Sequence, residues 1–312
     1  MAKLIILCGL PGSGKSSYAR EFKDFDDAIY EGKTVIHSSD AIREELFGDP
    51  SFQGDNAKVF ENLHKRVRED LNAGKTVIYD ATNLTRKSRR GAIACAHPTR
   101  DIVEVHIVWA PINVCMRRDA SRNRVVGQEA FDKMLRRWQS PDPVIEGFDH
   151  ISLICTDPEF DHVHYVSRKT AEMHIAHDNP HHTLGVYDHC LQASLNIANC
   201  GEKVPDEVLA ATYWHDIGKP YTKFYKQNKE TGEYDMSKAH YYDHQNVGAY
   251  MAYGLFISEK ILSDYKILTA CKTSWYINMH MDPFFNTKFY NNLPAYEKHW
   301  IDVIHEADTK AH

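Results

Sequence analysis

The sequence predicts an α/β domain with a parallel sheet flanked by helices, followed by an all-helical domain. Five short runs rich in Val, Ile and Leu alternate with helical patterns over the first half of the chain. Strands that alternate with helices in this way predict a parallel sheet. From about residue 170 onward only helical segments follow, and they are broken at proline- and glycine-containing turns. A length of 312 residues also fits two domains better than one.

The predicted boundaries are 1–156 for the α/β domain, 157–169 for a linker and 170–312 for the helical domain. The stretch TDPEFDHVHYVSR carries turn and charge signals with little periodicity, which is typical of a linker. The predicted strands are, in chain order, KLIILC, KTVIHS, KTVIYD, DIVEVHIVWA and FDHISLIC.

Charged residues are distributed unevenly between the two halves. Of 15 arginines, 14 lie within residues 1–150, whereas 14 of 19 histidines lie within residues 151–312. Arginine binds phosphate in a bidentate manner, and histidine serves metal and proton chemistry. We therefore expect phosphate recognition in the first half and metal or proton chemistry in the second. The net charge of −6 disfavours non-specific binding to duplex nucleic acid.

Seven scattered cysteines, none in a C-x-x-C pair, predict neither a disulfide framework nor a zinc knuckle. No run of about 18 apolar residues exists, and the N-terminal strand leads directly into a glycine-rich loop. We expect a cytoplasmic protein without a membrane partner.

The glycine-rich loop reads GLPGSGKS and satisfies the pattern G-x-x-x-x-G-K-[ST]. A strand precedes it and a helix follows, so that loop amides and the helix N-terminus can hold phosphate. Lys15 is then expected to bridge the β- and γ-phosphates of ATP, and Ser16 to bind Mg²⁺. A plain surface turn is the alternative interpretation. The predicted nucleotide-binding residues of the loop are Gly9, Gly12, Ser13, Gly14, Lys15, Ser16 and Ser17.

The next two strands end in acidic residues. Asp40 follows the second strand, and Arg43 lies one turn further on the same side of a predicted helix. The carboxylate could accept a proton from an attacking hydroxyl while the arginine holds a nearby phosphate, or Asp40 could simply cap the helix. Asp80 at the end of the third strand resembles a Walker-B carboxylate, although ordinary turn chemistry also places Asp there.

The segment RRDASRNR contains Arg118 and Arg122, which we expect on one helix face, with Arg117 and Arg124 beside them. Like charges at this spacing repel each other, so they should face an anion, unless they form a solvated basic surface. In a kinase such a segment closes over the phosphates as a lid.

Taken together, GLPGSGKS, SSDAIR, DATN and an R-x-x-x-R lid resemble the P-loop domain of bacteriophage-type polynucleotide 5′-kinases over residues 1–156. The resemblance implies that Asp40 is the general base and that Arg43 grips the phosphate of the acceptor. It also implies that Arg118 and Arg122 clamp the donor.

The second half contains an ordered series of histidine segments: HDNPHHTLGVYDHC, ATYWHDIGKP, HYYDHQNVGAYMA, WYINMHMDP and IHEADTK. A dinuclear metal site needs about five to seven nitrogen and oxygen ligands, with one carboxylate able to bridge. A single histidine is usually structural, but adjacent His215 and Asp216 within such a series favour a metal site.

This series resembles the HD phosphohydrolase superfamily, whose signature is H, HD, H, H, D on successive helices. The resemblance implies that Asp216 is catalytic as well as a ligand, and that His181, His182 and Lys219 contact a substrate phosphate. His240 competes with His244 as a ligand, and the sequence after His244 favours the latter. The ligands are then His189, His215, Asp216, His244, His280 and Asp308, holding Mn²⁺, Fe²⁺, Ni²⁺, Co²⁺ or Zn²⁺.

A 5′-kinase joined to a phosphohydrolase predicts a bifunctional enzyme that heals nucleic-acid ends. It would use ATP and Mg²⁺ to phosphorylate 5′-hydroxyls, and a second metal to remove a 3′-phosphate or 2′,3′-cyclic phosphate. The expected substrate is RNA more than DNA, with a functional link to a ligase, in the host cytoplasm if the protein is phage-encoded. Two alternatives are a nucleoside kinase fused to an HD nucleotidase, and an ATP-sensing module that regulates an HD hydrolase.

Overall fold

The computed structural model describes residues 2–30, 33–52, 54–122, 124–179, 183–259 and 262–311. The chain divides into two compact units. The first comprises Met1–Met134 and Pro141–Pro158, and the second comprises Leu135–Ser140 and Glu159–His312.

The first unit is built on a five-stranded parallel sheet with the strand order β2-β3-β1-β4-β5. All five predicted strands are confirmed, and with them the α/β fold class. The central strand is buried on both faces, as is usual when helices cover both sides of a parallel sheet. The strands are β1 Lys3–Cys8, β2 Thr34–Ser38, β3 Thr76–Asp80, β4 Ile102–Trp109 and β5 His150–Cys155.

Seven helices begin in the stretch of chain that carries these strands, and the longer ones connect successive strands. They are α1 Lys15–Tyr30, α2 Ser39–Phe47, α3 Asn56–Asn72, α4 Arg86–Ile93, α5 Ile112–Ala120, α6 Gln128–Leu135 and α7 Pro143–Glu146.

The carboxyl ends of the parallel strands position the first candidate site. Since all five strands run in the same direction, the segments that follow them lie at one edge of the sheet. The glycine loop follows β1, Asp40 follows β2, and Asp80 ends β3. Thr156 follows β5 directly. Residues far apart in sequence are thereby brought to one place.

A buried ion pair, Arg89 with Glu146, links helices α4 and α7. Both side chains are fully buried, and two guanidinium nitrogens donate to the two carboxylate oxygens at 2.8 and 2.6 Å. A third nitrogen donates to the carbonyl oxygen of Asn83 at 2.9 Å. All three guanidinium nitrogens of Arg89 therefore donate hydrogen bonds in the protein interior.

Replacing Glu146 by glutamine is expected to destabilise the protein by about 3 kcal/mol, because it leaves a buried guanidinium charge without its counterion. Urea unfolding followed by circular dichroism measures the change. Glu129→Gln is the matched control, since Glu129 pairs with Lys133 on the exposed surface of α6 and should change stability little. Equal stability of both variants would contradict a structural role for the Arg89–Glu146 pair.

The second unit is mainly helical, as predicted. Its helices are α8 His162–Met173, α9 Val186–Ala198, α10 Asp206–Trp214, α11 Lys219–Thr222, α12 His244–Ala252, α13 Asp264–Met279, α14 Asp282–Phe285, α15 Thr287–Asn291 and α16 Ala295–Thr309, with a 3₁₀ turn at Tyr253–Leu255.

Two features of this unit differ from the sequence prediction. Helix α8 occupies most of the predicted linker, and Asp161 caps it by accepting from the backbone N–H of His164. An antiparallel hairpin of β6 Phe224–Gln227 and β7 Tyr234–His240 interrupts the predicted all-helical pattern. Most hairpin side chains are exposed and polar, so neither strand shows the alternation of apolar residues that predicts a strand.

Residues 135–140 belong to the helical unit although they precede β5 in sequence. Trp138 is fully buried and packs edge-on against the rings of Tyr250 and Tyr253, with centroids 5.1 and 5.9 Å away. Ser140 hydrogen-bonds to Ser274 at 2.7 Å, and Asn278 donates to the carbonyl of Trp138 at 3.2 Å. The predicted boundaries instead placed residues 135–140 in the first domain.

A search of the described residues finds no helix with the length and apolar character needed to cross a membrane.

Candidate active sites

The glycine loop of the first unit has a backbone that only glycine allows. Gly12 and Gly14 have φ angles of 73° and 90°, and a Cβ on Gly12 would lie 2.1 Å from the carbonyl oxygen of Cys115. Helix α1 begins directly at Lys15. The loop amides and the helix N-terminus are therefore available to an anion.

The side chains of the loop suit a nucleoside triphosphate with Mg²⁺. Lys15 is largely buried and donates to the carbonyl of Leu10 at 2.8 Å, while Ser13 has a buried hydroxyl oxygen without a hydrogen-bond partner. Ser16 donates to a carboxylate oxygen of Asp80 at 2.9 Å, which pairs the two side chains expected around Mg²⁺. The structure thus brings Asp80 to the loop as the Walker-B interpretation requires.

Burial lowers the pKa of Lys15, and the nearby carboxylate of Asp80 opposes this effect. The charge of Arg122 also lowers the pKa of Lys15. A bound polyphosphate would raise the pKa of Lys15, because it would bring negative charge close to Lys15 and Arg122.

The carboxylate of Asp40 lies between two arginines. One oxygen accepts from Arg43 at 2.7 Å and lies 3.1 Å from a guanidinium nitrogen of Arg124. The Asp40 side chain is 48% exposed, whereas Arg43 is 6% exposed and also donates to Asn56 at 2.9 Å. Ser38 caps α2 by accepting from the backbone N–H of Asp40, so the alternative that Asp40 caps the helix is wrong.

The arginine segment differs from the prediction, because α5 ends at Ala120 and Arg122 lies beyond its C-cap. Arg118 donates to the hydroxyl and the carbonyl of Thr156 at 3.0 and 2.9 Å. Arg122 lies 3.7 Å from a carboxylate oxygen of Asp119. The two arginines therefore do not share a helix face. Arg124, which the sequence ranked below them, is the one that contacts Asp40.

In the second unit, six side chains converge from five helical segments. Two groups of potential ligands share Asp216: His189 and His215 form one with it, and His244 and His280 the other. Within each group the ligand atoms lie within 4.8 Å of one another, and all five residues are buried. Asp308 joins the first group, since one carboxylate oxygen lies 2.7 Å from His189 Nε2 and 3.4 Å from His215 Nε2.

The four histidines are oriented by the backbone. Each Nδ1 lies within hydrogen-bond distance of a carbonyl oxygen, which can only accept, so each Nδ1 carries a proton and each Nε2 faces the cluster. The carbonyls belong to Ala311 for His189, Thr212 for His215, Tyr241 for His244 and Ile277 for His280, at 2.6, 2.7, 2.9 and 2.7 Å.

Nε2 atoms that face each other in this way are favourable only if a cation lies between them. The Nε2 atoms of His244 and His280 lie 3.2 Å apart, so two lone pairs face each other, and His215 Nε2 lies 3.3 Å from a carboxylate oxygen of Asp216. Imidazole nitrogens and carboxylate oxygens without cysteine suit divalent transition metals. The residues present therefore fit the divalent transition metal that the sequence predicted.

The electrostatics give Asp216 and His280 the protonation states that metal binding needs. Burial opposes the charged form of Asp216, but Lys219 and His215 hold the pKa of its carboxyl well below the usual value. Burial, together with His244 and His215, lowers the pKa of His280 to about 3. The carboxylate is therefore ionised and this imidazole neutral over the ordinary pH range.

Of the other predicted residues, Lys219 reaches the cluster, with Nζ 2.5 Å from a carboxylate oxygen of Asp216. His240 ends β7 and packs against aromatic rings, so it does not lie on a helix with His244 and is not part of the cluster. His181 and His182 lie outside the described residues.

His177 is a residue that the sequence analysis missed. It is buried, its Nε2 lies 3.1 Å from Lys219 Nζ and 3.8 Å from a carboxylate oxygen of Asp216, and its Nδ1 contacts the carbonyl of Leu184 at 2.7 Å. Its position twelve residues before His189 follows no helical spacing, so only the folded loop brings it to the cluster.

Comparison with known proteins agrees with this division. A family model described as AAA domain matches residues 4–141, and one described as HD domain matches residues 181–292. The L-seryl-tRNA(Sec) kinase of Methanococcus maripaludis is 26% identical over 144 residues, which are 44% of this chain and 53% of that protein. The KTI12 homolog of Xenopus laevis is 27% identical over 144 residues, which are 45% of this chain and 51% of that protein. The chain thus spans about half the length of these curated relatives.

Two further relatives also match part of the chain. The UPF0200 protein PH1008 of Pyrococcus horikoshii is 31% identical over 150 residues, which are 45% of this chain and 70% of that protein. The shikimate kinase of Chlamydia pneumoniae is 34% identical over 94 residues, which are 27% of this chain and 53% of that protein.

Similar solved structures include a Pnkp1/Rnl/Hen1 complex, with a TM-score of 0.34 and 26% identity over 41% of this chain and 40% of that one. Chaetomium thermophilum Kti12 in complex with ADP-AlF₃ has a TM-score of 0.42 and 18% identity over 50% of this chain and 90% of that one. The first half of the chain is therefore similar to the AAA domain family, and the second half is similar to the HD domain family.

Proposed function

We propose that this protein heals both ends of a broken nucleic-acid strand, by phosphorylating a 5′-hydroxyl and removing a 3′-phosphate or a 2′,3′-cyclic phosphate. The observation that carries the proposal is the carboxylate of Asp40, half exposed and held by Arg43 and Arg124 at the sheet edge that carries the P-loop. A carboxylate beside two cations suits an acceptor that brings both a hydroxyl and a phosphate of its own.

In the kinase reaction, ATP is held by the loop amides and by Lys15, with Ser16 and Asp80 at Mg²⁺. Asp40 accepts the proton of the 5′-hydroxyl as that oxygen attacks the γ-phosphorus, and ADP leaves. Arg122, whose charge already reaches Lys15, offsets negative charge on the transferred group. Arg118 is anchored to Thr156 and has the role of fixing the segment that carries Arg122 and Arg124.

In the hydrolase reaction, His189, His215, Asp216, His244, His280 and Asp308 hold the metals. When bound, such a metal pair polarises a phosphoester and lowers the pKa of water. The backbone carbonyls behind the histidines keep each Nε2 aimed at the site. Lys219 has the charge and the position to orient a substrate phosphate, with His177 fixing its ammonium group.

RNA is favoured over DNA as the substrate, and a ligase is the expected partner downstream, since the two reactions produce the ends that a ligase joins. Among the relatives, one is named an L-seryl-tRNA(Sec) kinase, and a substrate that contains RNA in that name supports an RNA substrate here.

The test is a short RNA with a 5′-hydroxyl and a 3′-phosphate, incubated with ATP, Mg²⁺ and Mn²⁺ or Ni²⁺, with both ends followed by gel mobility. Conversion to the 5′-phosphate, 3′-hydroxyl form is expected. No change at either end, with the protein shown to be folded, would contradict the proposal.

The second candidate is a small-molecule kinase joined to a nucleotidase, which the similarity to shikimate kinase favours. Arg43→Ala separates the two functions. If the acceptor is a polynucleotide, the variant should lose about a hundredfold in kcat/KM, because Arg43 both positions Asp40 and faces the phosphate of the acceptor. Full activity of Arg43→Ala on 3′-phosphorylated acceptors, or faster phosphorylation of free nucleosides by wild type, would favour the small-molecule function.

A further inference from the structure

The β6–β7 hairpin of the second unit carries an aromatic surface that the reactions above do not use. Phe224 and His240 are register partners, so their side chains lie on the same face of the hairpin. The ring centroid of Tyr242 lies 5.4 Å from that of Phe224 and 5.5 Å from that of His240, and the Phe224 and His240 centroids are 5.5 Å apart. We call these three rings the hairpin platform.

The hairpin platform is open to solvent, with Phe224 36% and Tyr242 53% exposed. If these three rings only stabilised the hairpin, burying them from solvent would stabilise it more. Flat rings left accessible at this spacing offer a stacking surface to a planar ligand such as a nucleobase.

Positive charge accompanies the rings. Lys226 Nζ lies 5.7 Å from the ring centroid of Tyr242. Lys238 lies two residues before His240 on β7, so the two side chains lie on the same face of the strand. Desolvation, Lys226 and Lys238 lower the pKa of His240, while Asp235 acts in the opposite direction. Neither Lys226 nor Lys238 forms an ion pair with any residue that the structure describes, whereas Lys223 on the same hairpin is paired with Asp178. Lys226 and Lys238 are therefore available to an anion.

The hairpin is bonded to the loop that leads to the metal-ligand cluster. Ala239 of β7 donates its backbone N–H to the carbonyl of Asp178 at 2.7 Å, and Lys223 and Tyr225 both donate to the Asp178 carboxylate. Met236 and Ser237 of β7 line a cavity of about 450 Å³ together with His177, Asp178 and Asn179. His177 lies 3.1 Å from Lys219 and 3.8 Å from a carboxylate oxygen of Asp216, so one residue of the cavity wall contacts the cluster.

We propose that the hairpin platform binds the bases next to the 3′ end of a single-stranded nucleic acid, which delivers the terminal phosphate through this cavity to the hydrolase site. This inference deepens the function proposed above and rests on it. Stacking against Phe224, His240 and Tyr242 is tolerant of base identity, and Lys226 and Lys238 contact the backbone phosphates. A protein partner is the alternative occupant, but binding a protein would not require lysines without ion pairs beside the aromatic rings.

The first measurement is binding of a fluorescein-labelled single-stranded RNA pentamer by anisotropy, in EDTA so that no end reaction occurs. Tyr242→Ala and Phe224→Ala should each weaken binding about tenfold, and Tyr242→Phe, which keeps the ring, should restore it. Lys226→Ala should weaken binding and reduce its dependence on salt. Tyr296→Ala, an exposed tyrosine on α16, is the matched control and should bind like wild type.

The second measurement compares hydrolysis of a 3′-phosphorylated RNA pentamer with hydrolysis of p-nitrophenyl phosphate by the same preparations. The loss of kcat/KM caused by Tyr242→Ala should be about ten times larger for the RNA than for the small ester, and should lie mainly in KM. The small ester also reports whether the metal site is intact in each variant.

The outcomes separate the two proposals. If wild type binds the RNA through the platform but removes no 3′-phosphate, the hydrolase assignment fails and the platform stands. If wild type removes the 3′-phosphate but platform variants bind and react like wild type, the platform is wrong. If wild type does not bind single strands at all, or if Tyr242→Phe behaves like Tyr242→Ala, the platform is also wrong.

Discussion

Replacing Asp216 by asparagine is expected to remove 3′-end hydrolysis by more than about a hundredfold while leaving 5′-phosphorylation intact. Asp216 is the one residue common to both groups of potential ligands, so its loss weakens two metal positions at once. The amide also removes the charge that pairs with Lys219 and His215. Metal content after dialysis, measured by mass spectrometry, and single-turnover hydrolysis of a 3′-phosphorylated RNA check this expectation.

The matched control is His299→Ala, which removes an exposed histidine paired with Glu202 on the surface of the same unit. Metal content and hydrolysis should remain at wild-type values. An Asp216→Asn protein that retains both its metal and its hydrolysis would show that the cluster is structural. A thermal melt of both variants establishes that the comparison is made between folded proteins.

Replacing Lys15 by alanine is expected to abolish 5′-phosphorylation, again by at least about a hundredfold, with 3′-end hydrolysis retained. Its ammonium group is buried at the P-loop and held by the carbonyl of Leu10, where it is positioned for the phosphates of ATP. Transfer of radioactive phosphate from ATP to a 5′-hydroxyl RNA measures the loss. Lys133→Ala, at an exposed position of α6, is the control.

The same experiment tests whether the P-loop half acts instead as an ATP sensor. If ATP changes the rate of hydrolysis in wild type, and Lys15→Ala abolishes this response while no phosphoryl transfer is seen in either protein, the sensor interpretation is favoured. Asp40→Ala adds a second criterion. An enzyme loses transfer but keeps ATP binding, whereas a sensor keeps both ATP binding and control of hydrolysis.

Several features could be predicted because they are encoded locally. Each strand of the parallel sheet contains Val, Ile or Leu residues that are recognisable in sequence, and GLPGSGKS places Gly12 and Gly14 where the backbone has positive φ. The histidine and aspartate series could be assigned because each potential ligand lies on or beside a helix in a fixed order. Even the preference for His244 over His240 followed from the residues after it, and the structure places His244 in the cluster.

Other features were decided only by contacts between distant residues. Arg118 and Arg122 share a helical spacing in sequence, but α5 ends at Ala120, before Arg122. The two terminal guanidinium nitrogens of Arg118 donate instead to Thr156, which lies 38 residues further along the chain. No sequence pattern around Trp138 predicts that its ring packs among the helices of the second unit. His177 reaches Lys219 across 42 residues, through a loop whose course no periodicity describes.

The sequence by itself therefore determined the strands, the P-loop and the order of the potential metal ligands. Short-range backbone requirements and the periodicity of burial are written into neighbouring residues, where they can be recognised. The tertiary structure decided which arginine contacts Asp40, which hydroxyl caps α2, and which face of the hairpin carries its aromatic rings. Such choices depend on which side chains from distant elements fill the same space, and spacing along the chain does not specify that.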